Sequence, residues 1–121
     1  MGKRILVVDD DELVRLALEE LLMPEGYEIH TASSGREALD KIKENIYDLL
    51  MLDIIMPEMD GIELCRKIRE KDDYSEVPIV FLTAKSREED RSVGLEAGAN
   101  LFLSKPISPE KLLTLISEAI G

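Results

Sequence analysis

The 121-residue chain carries one cysteine, one histidine, seven glycines and five prolines. Cys65 therefore has no disulfide partner, and with His30 as the sole imidazole a Cys/His zinc site is excluded. Collagen-like and low-complexity readings fail on the same glycine and proline counts. No apolar run approaches the roughly 20 residues that cross a bilayer. The start, Met1-Gly2-Lys3-Arg4, leads into the short run Ile5 to Val8 and then three aspartates, which is no signal peptide. Gly2 is not a myristoylation start either, because Leu6 stands where Ser or Thr is wanted. These absences point to the cytoplasm. Basic residues are scarce: fifteen Lys and Arg face 26 Asp and Glu, for a net charge of −11. Phosphate backbones and anionic lipid need clustered Lys and Arg, so direct nucleic-acid and membrane partners are excluded. The length fits one domain, and a hydrophobic share of 45% is enough to build its core.

What is present is an alternation of short apolar runs with helical patterns. Ile5 to Val8 is a β-branched run ending in charge. Leu13, Val14, Ala17, Leu18, Leu21 and Leu22 recur at helical period until Pro24 and Gly26 stop them. Glu28 to Ala32 predicts a second strand, with His30 near its end. Ser33 or Ser34 caps a helix carrying Ala38, Leu39 and Ile42. Leu49 to Leu52 predicts the third strand, and Pro57 to Gly61 a turn. Ile62 to Ile68 predicts a helix that half-buries Cys65 as an inert small hydrophobe. Val77 to Leu82 predicts the fourth strand, and Ser86 to Ala97 the fourth helix, closed by Gly98. Leu101 to Leu103 predicts the fifth strand. Ser108-Pro109-Glu110 is a helix start for the last helix, with Leu112, Leu115 and Ile116 on its apolar face. Five strands alternating with five helices make an α/β fold. Continuously apolar strands mean a parallel sheet covered on both faces. The right-handed solution is a doubly wound, flavodoxin-like sheet in the order 2-1-3-4-5. Its site lies beyond the carboxyl ends of the strands, near the switch point between strands 1 and 3.

Those ends carry the chemistry. Strand 1 runs into Asp9-Asp10-Asp11-Glu12, strand 3 into Asp53, strand 4 into Thr83, and strand 5 into Lys105-Pro106. Asp9, Asp10 and Asp53 on neighbouring strands bring three carboxylates close together, and such charges need compensation. A hard divalent cation supplies it. Oxygen donors in a small site suit Mg²⁺, or Mn²⁺ in its place. Lys105 adds a further cation. Thr83 and Lys105 can hold phosphoryl oxygens, and an aspartate can serve as nucleophile, forming an acyl phosphate. Asp11 reads simply as a helix N-cap.

With these residues assembled, the chain resembles the receiver domains of two-component response regulators. The resemblance spans residues 1–121, a single receiver domain with no output domain in this chain. It rests on Val7-Val8-Asp9-Asp10-Asp11, Leu52-Asp53-Ile54-Ile55-Met56-Pro57 with Asp60-Gly61, Leu82-Thr83-Ala84, Gly98-Ala99 and Lys105-Pro106. Each motif is weak alone; in this order and spacing they are specific. The resemblance implies that Asp53 accepts a phosphoryl group from a histidine kinase or phosphotransfer protein. It implies that Asp10, Asp53 and the Ile55 carbonyl ligate Mg²⁺, with Asp9 acting mainly through water. Thr83 and Lys105 would hold the phosphoryl oxygens, and Thr83 and Phe102 would form the switch, Phe102 swinging in beneath helix 4. Ile55 and Lys85, two residues beyond Asp53 and Thr83, would modulate hydrolysis. The Lys105-Pro106 peptide is expected to be cis. The domain would catalyse only its own phosphorylation and dephosphorylation, and so is not an enzyme in the ordinary sense.

Some positions depart from the pattern. Receivers that dimerise by charge pairs carry an Asp pair where this chain has Asn100 and Leu101, and an Arg where it has Leu115. The expectation is that the helix 4–strand 5–helix 5 face offers Leu101 and Leu115 to an effector protein or an output domain elsewhere. A haloacid-dehalogenase-type phosphatase wants an acid where Ile55 stands. A flavodoxin-type phosphate loop wants small residues where the chain has Asp-Asp-Asp-Glu.

Overall fold

Arg4–Val8 forms the first strand, β1, and every one of its residues from Ile5 onward is buried. The computed structural model describes residues 2–85 and 87–121. In chain order follow α1 (Glu12–Leu22), β2 (Glu28–Ala32), α2 (Gly35–Glu44), β3 (Leu49–Leu52), α3 (Gly61–Arg69), β4 (Ile79–Thr83), α4 (Glu88–Glu96), β5 (Leu101–Ser104) and α5 (Pro109–Ile120). The sheet is parallel throughout, in the order β2-β1-β3-β4-β5. The expected doubly wound α/β architecture is therefore the observed one.

Alternation along the strands builds two cores. Leu6, Val8, Leu50, Leu52, Ile79 and Phe81 face α2, α3 and α4, where Ala38, Ile42, Leu64, Cys65 and Ile68 meet them. Ile5, Val7, Leu49, Met51, Val80 and Leu82 face α1 and α5, packing on Leu18, Leu22, Leu112 and Ile116. Each fully buried Leu or Ile contributes about 1.5–3 kcal/mol relative to exposure. Cys65 is fully buried rather than half-buried, and burial pushes its thiol up to about 11, so it stays protonated and inert.

Caps set the helix starts. Asp11 accepts from the Leu13 amide, Ser34 from Glu37, Asp60 from Glu63 and Ser108 from Lys111. Pro24 ends α1 at Leu22 and continues it as one tight 3-10 turn, Met23–Glu25, closed by Gly26 at φ 95°. A second such turn spans Asp72–Tyr74.

Three details differ from the sequence reading. β4 begins at Ile79 rather than Val77, because Pro78 has no amide for the ladder; its carbonyl still accepts from Leu50. α4 begins at Glu88, with the Arg87 amide donating to Asp90 at 3.3 Å, while the Ser86 start expected for it lies outside the described residues. His30 sits at the middle of β2, opposite Leu6, not at the strand's end. Its Nδ1 meets the Tyr47 hydroxyl at 2.6 Å and its Nε2 meets Glu28 at 2.9 Å. Tyr74 completes this end of the sheet: its hydroxyl donates to the Asn45 carbonyl at 2.9 Å and accepts from the Tyr47 amide.

Candidate functional site

The β1, β3 and β5 ends meet at the carboxyl edge of the sheet. Asp9 follows β1 and is 3% exposed; Asp53 follows β3 and is 7% exposed; Asp10 is exposed. Oxygens of all three carboxylates lie within 4.8 Å of one another. Register explains it: Val8 pairs with Leu52, so the residues after them leave the sheet side by side, and the Asp53 amide donates to the Val8 carbonyl at 3.0 Å. Lys105, just past β5, reaches back over the edge. Its ammonium donates to Asp9 Oδ2 at 2.8 Å and to Asp53 Oδ2 at 3.4 Å. The Lys105-Pro106 peptide is cis, as the resemblance implied.

The electrostatics follow from burial and pairing. Burial pushes the Asp9 carboxyl above the ordinary aspartate value, and the neighbouring Asp53 charge adds to that; the Lys105 and Asp11 hydrogen bonds offset it only partly. For Lys105 burial acts downward, but the bond to Asp9 and the charges of Asp53 and Asp9 outweigh it, so the ammonium is held more firmly than usual. One lysine against three carboxylates leaves an excess of negative charge in a half-buried cleft. Hard oxygen donors at this mutual spacing fit a divalent cation such as Mg²⁺. The amide of Ile55 donates to Asp53 Oδ1 at 3.3 Å, turning the β3–α3 loop over the carboxylate. Gly61 keeps this loop close: a Cβ there would overlap the Asp53 carbonyl oxygen.

Thr83 is fully buried at the β4 end, its Oγ1 accepting from the Lys85 amide at 3.2 Å. The Lys85 side chain and Ile55 are exposed on the rim and line one cleft with Arg87 and Asp90. Phe102 is only 4% exposed, its ring tilted against Phe81 with centroids 6.0 Å apart and packed on Gly94. The ring is turned inward, beneath α4, in this structure. Leu101 and Leu115 share a groove with Asn100 and Phe102 on the α4–β5–α5 face.

The response regulator receiver domain family matches residues 5–117. The chain belongs to that family. Among curated relatives, this receiver is 42% identical over 113 residues to the transcriptional regulatory protein SrrA of Staphylococcus aureus, covering 93% of the chain but 46% of that protein. The chain thus spans about half the length of the curated relatives it matches. The chemotaxis protein CheY4 of Vibrio cholerae superposes with a TM-score of 0.94 at 34% identity, covering 98% of this chain and 99% of that one. A two-component response regulator from Clostridium difficile gives 0.92 at 32% identity, covering 98% and 95%. The receiver is a two-component signalling domain, and among its described residues no helix is long and apolar enough to cross a membrane.

Two arginines of the receiver escaped the sequence reading. Arg15, on α1, donates from Nη1 to the Asp9 carbonyl at 2.7 Å. Arg69, at the end of α3, donates to the carbonyls of Gly98, Tyr74 and Val77 and to Asn100 Oδ1. The Asn100 oxygen also accepts from the Ile79 amide at 2.9 Å, so Asn100 ties β5's entry to β4. A sequence signal existed for neither arginine: Arg15 interrupts the apolar stretch Leu13 to Leu18 as a single charge, and Arg69 stands in the charged end of α3, which reads as solvated surface.

Proposed function

We propose that this receiver is a cytoplasmic phosphoacceptor switch, with Asp53 taking a phosphoryl group from the phosphohistidine of a sensor histidine kinase or phosphotransfer protein. The observation that supports this most is the convergence of Asp9, Asp10 and Asp53 within 4.8 Å, with Lys105 bridging Asp9 and Asp53. An Asp53 carboxylate oxygen attacks phosphorus in line. The P–N bond breaks with its electron pair staying on the imidazole, which leaves neutral when its other nitrogen is protonated. A divalent cation, Mg²⁺ or Mn²⁺, supplies charge neutralisation for the phosphoryl oxygens. Asp10, Asp53 and the Ile55 carbonyl would hold it, with Asp9 contributing through water. Lys105 holds one phosphoryl oxygen. The Thr83 hydroxyl is an acceptor in its present bond, so its own proton is free to donate to another.

Turning Thr83 toward a phosphoryl group loosens its bond to the Lys85 amide, and Lys85 in turn sits 3.8 Å from Asp90 in the first turn of α4. With the Phe102 ring already inward, the rearrangement falls on this loop and on α4. The changed α4–β5–α5 surface, with Leu101 and Leu115, then engages an effector protein or an output domain. Moving such an equilibrium from mostly inactive to mostly active takes about 3–5 kcal/mol of differential binding. Beyond its own phosphorylation and dephosphorylation the domain catalyses nothing, and Ile55 and Lys85 on the rim set the rate of hydrolysis. Mg²⁺-dependent labelling by acetyl phosphate, lost in Asp53→Asn, is the expected result. Labelling retained in Asp53→Asn refutes the assignment.

A further inference from the structure

Asp9 is held at every polar atom. Its amide donates to the Ala32 carbonyl at 3.1 Å, Oδ1 accepts from the Asp11 amide at 2.9 Å, and Oδ2 accepts from Lys105 at 2.8 Å. Its carbonyl oxygen, at a strand end where the ladder has stopped, accepts from Arg15 Nη1 at 2.7 Å. Asp10 differs. It is exposed, and its carboxylate makes no hydrogen bond among the described residues, so its place is inherited from the backbone on either side.

Arg15 controls that backbone from both directions. Its amide donates to the Asp11 carbonyl at 3.1 Å in the first turn of α1, and its guanidinium returns to Asp9. The two bonds close a ring around Asp10 and set the angle at which β1 passes into α1. Such outer contacts orient ligands they never touch.

From this we infer that Arg15 is a positioning residue for the acidic site: by clamping the Asp9 carbonyl it aims Asp10 at the cation shared with Asp53. The inference rests on the cation reading above and deepens it. Its sign separates it from a charge effect. Removing a positive charge beside a cation site tightens cation binding by Coulomb's law alone, whereas losing the clamp weakens it.

The test is Mn²⁺ affinity, followed by electron paramagnetic resonance on the wild-type chain, Arg15→Met, Arg15→Gln and Arg15→Lys, with circular dichroism to check folding. Met and Gln lose the reach or the donor, and each is expected to weaken Mn²⁺ binding about 10-fold. Lys keeps a long stem with an N–H donor and is expected to recover most of the loss. Gln carries the comparison if the Met variant does not fold. Wild-type or tighter affinity in the folded Met or Gln variant overturns the proposal, as does a loss in Arg15→Lys equal to that in Arg15→Met. Absence of Mn²⁺ binding in the wild-type chain, or its persistence in Asp10→Asn, overturns the cation reading itself.

Discussion

Gly94 lets the aromatic ring of Phe102 lie where it does, and replacing it with alanine measures how tightly. A Cβ at position 94 would stand 3.0 and 3.2 Å from Cδ2 and Cε2 of Phe102 and 3.2 Å from Cδ2 of Phe81. Those contacts fall about 0.2–0.4 Å short of ordinary van der Waals separation, against two rings that are themselves buried. Two effects then compete. In an unobstructed helix interior Gly→Ala stabilises by about 1 kcal/mol. Overpacking a tight core costs about 1–3 kcal/mol. The net expectation for Gly94→Ala is a loss of about 1 kcal/mol, read as a lower urea midpoint with unchanged slope. Truncating the ring removes two of the three close contacts, so Gly94→Ala made in a Phe102→Ala background is expected to stabilise. The double-mutant cycle should give a coupling energy of about 1–2 kcal/mol. A gain of about 1 kcal/mol in both backgrounds would show that α4 and the ring are not in register as described, and would refute the reasoning.

Arg69→Met removes five hydrogen bonds to Gly98, Tyr74, Val77 and Asn100 and strands partly buried carbonyls; a loss of about 2–4 kcal/mol is expected in urea melts, with Arg69→Lys recovering a part. Ser33's amide holds the Glu37 carboxyl below its ordinary 4.5. That contribution is full above pH 4.5 and disappears as pH falls through the folded value, so Glu37→Gln should flatten this part of the acid limb. Asp9 has the opposite sign: raised by burial, it costs stability above its folded pKa and releases that cost as pH falls through it, and Asp9→Asn should remove the effect from a pH series of thermal melts. Ile55→Asn places a water-orienting amide on the rim of the site and should change the decay of the acyl phosphate in a phosphate-release assay; an unchanged rate would sink the role given to Ile55.

The fold was legible because hydrophobic burial leaves a plain trace. Leu49 to Leu52 is apolar without interruption, since helices cover both faces of β3. The carboxylates were legible because a charge at the end of a buried strand is costly to desolvate unless a cation or hydrogen-bond donors meet it there. What could not be read was direction. An arginine's reach is long enough to join residues far apart, and nothing around Arg69 announces that it meets Gly98 across 29 positions. Phe102 could be recognised as an aromatic within the fifth strand, but its side-chain orientation depends on the absence of a Cβ at Gly94, eight residues away on another element. The β4 boundary failed for a local reason: Val77 continues the apolar run, but Pro78 cannot join the ladder through an amide.

The tyrosines carry a practical consequence for anyone studying this domain in solution. The chain has no tryptophan, and Tyr27, Tyr47 and Tyr74 each precede a strand, at the sheet edge opposite the carboxylates. Four or five residues of strand, about 15 Å, separate the natural chromophores from the site. Intrinsic fluorescence therefore reports unfolding faithfully and cation binding hardly at all. An optical probe of the site has to be introduced, and Ile55→Trp, on the exposed rim between Asp53 and Lys85, puts an indole where an arriving cation or phosphoryl group would quench it.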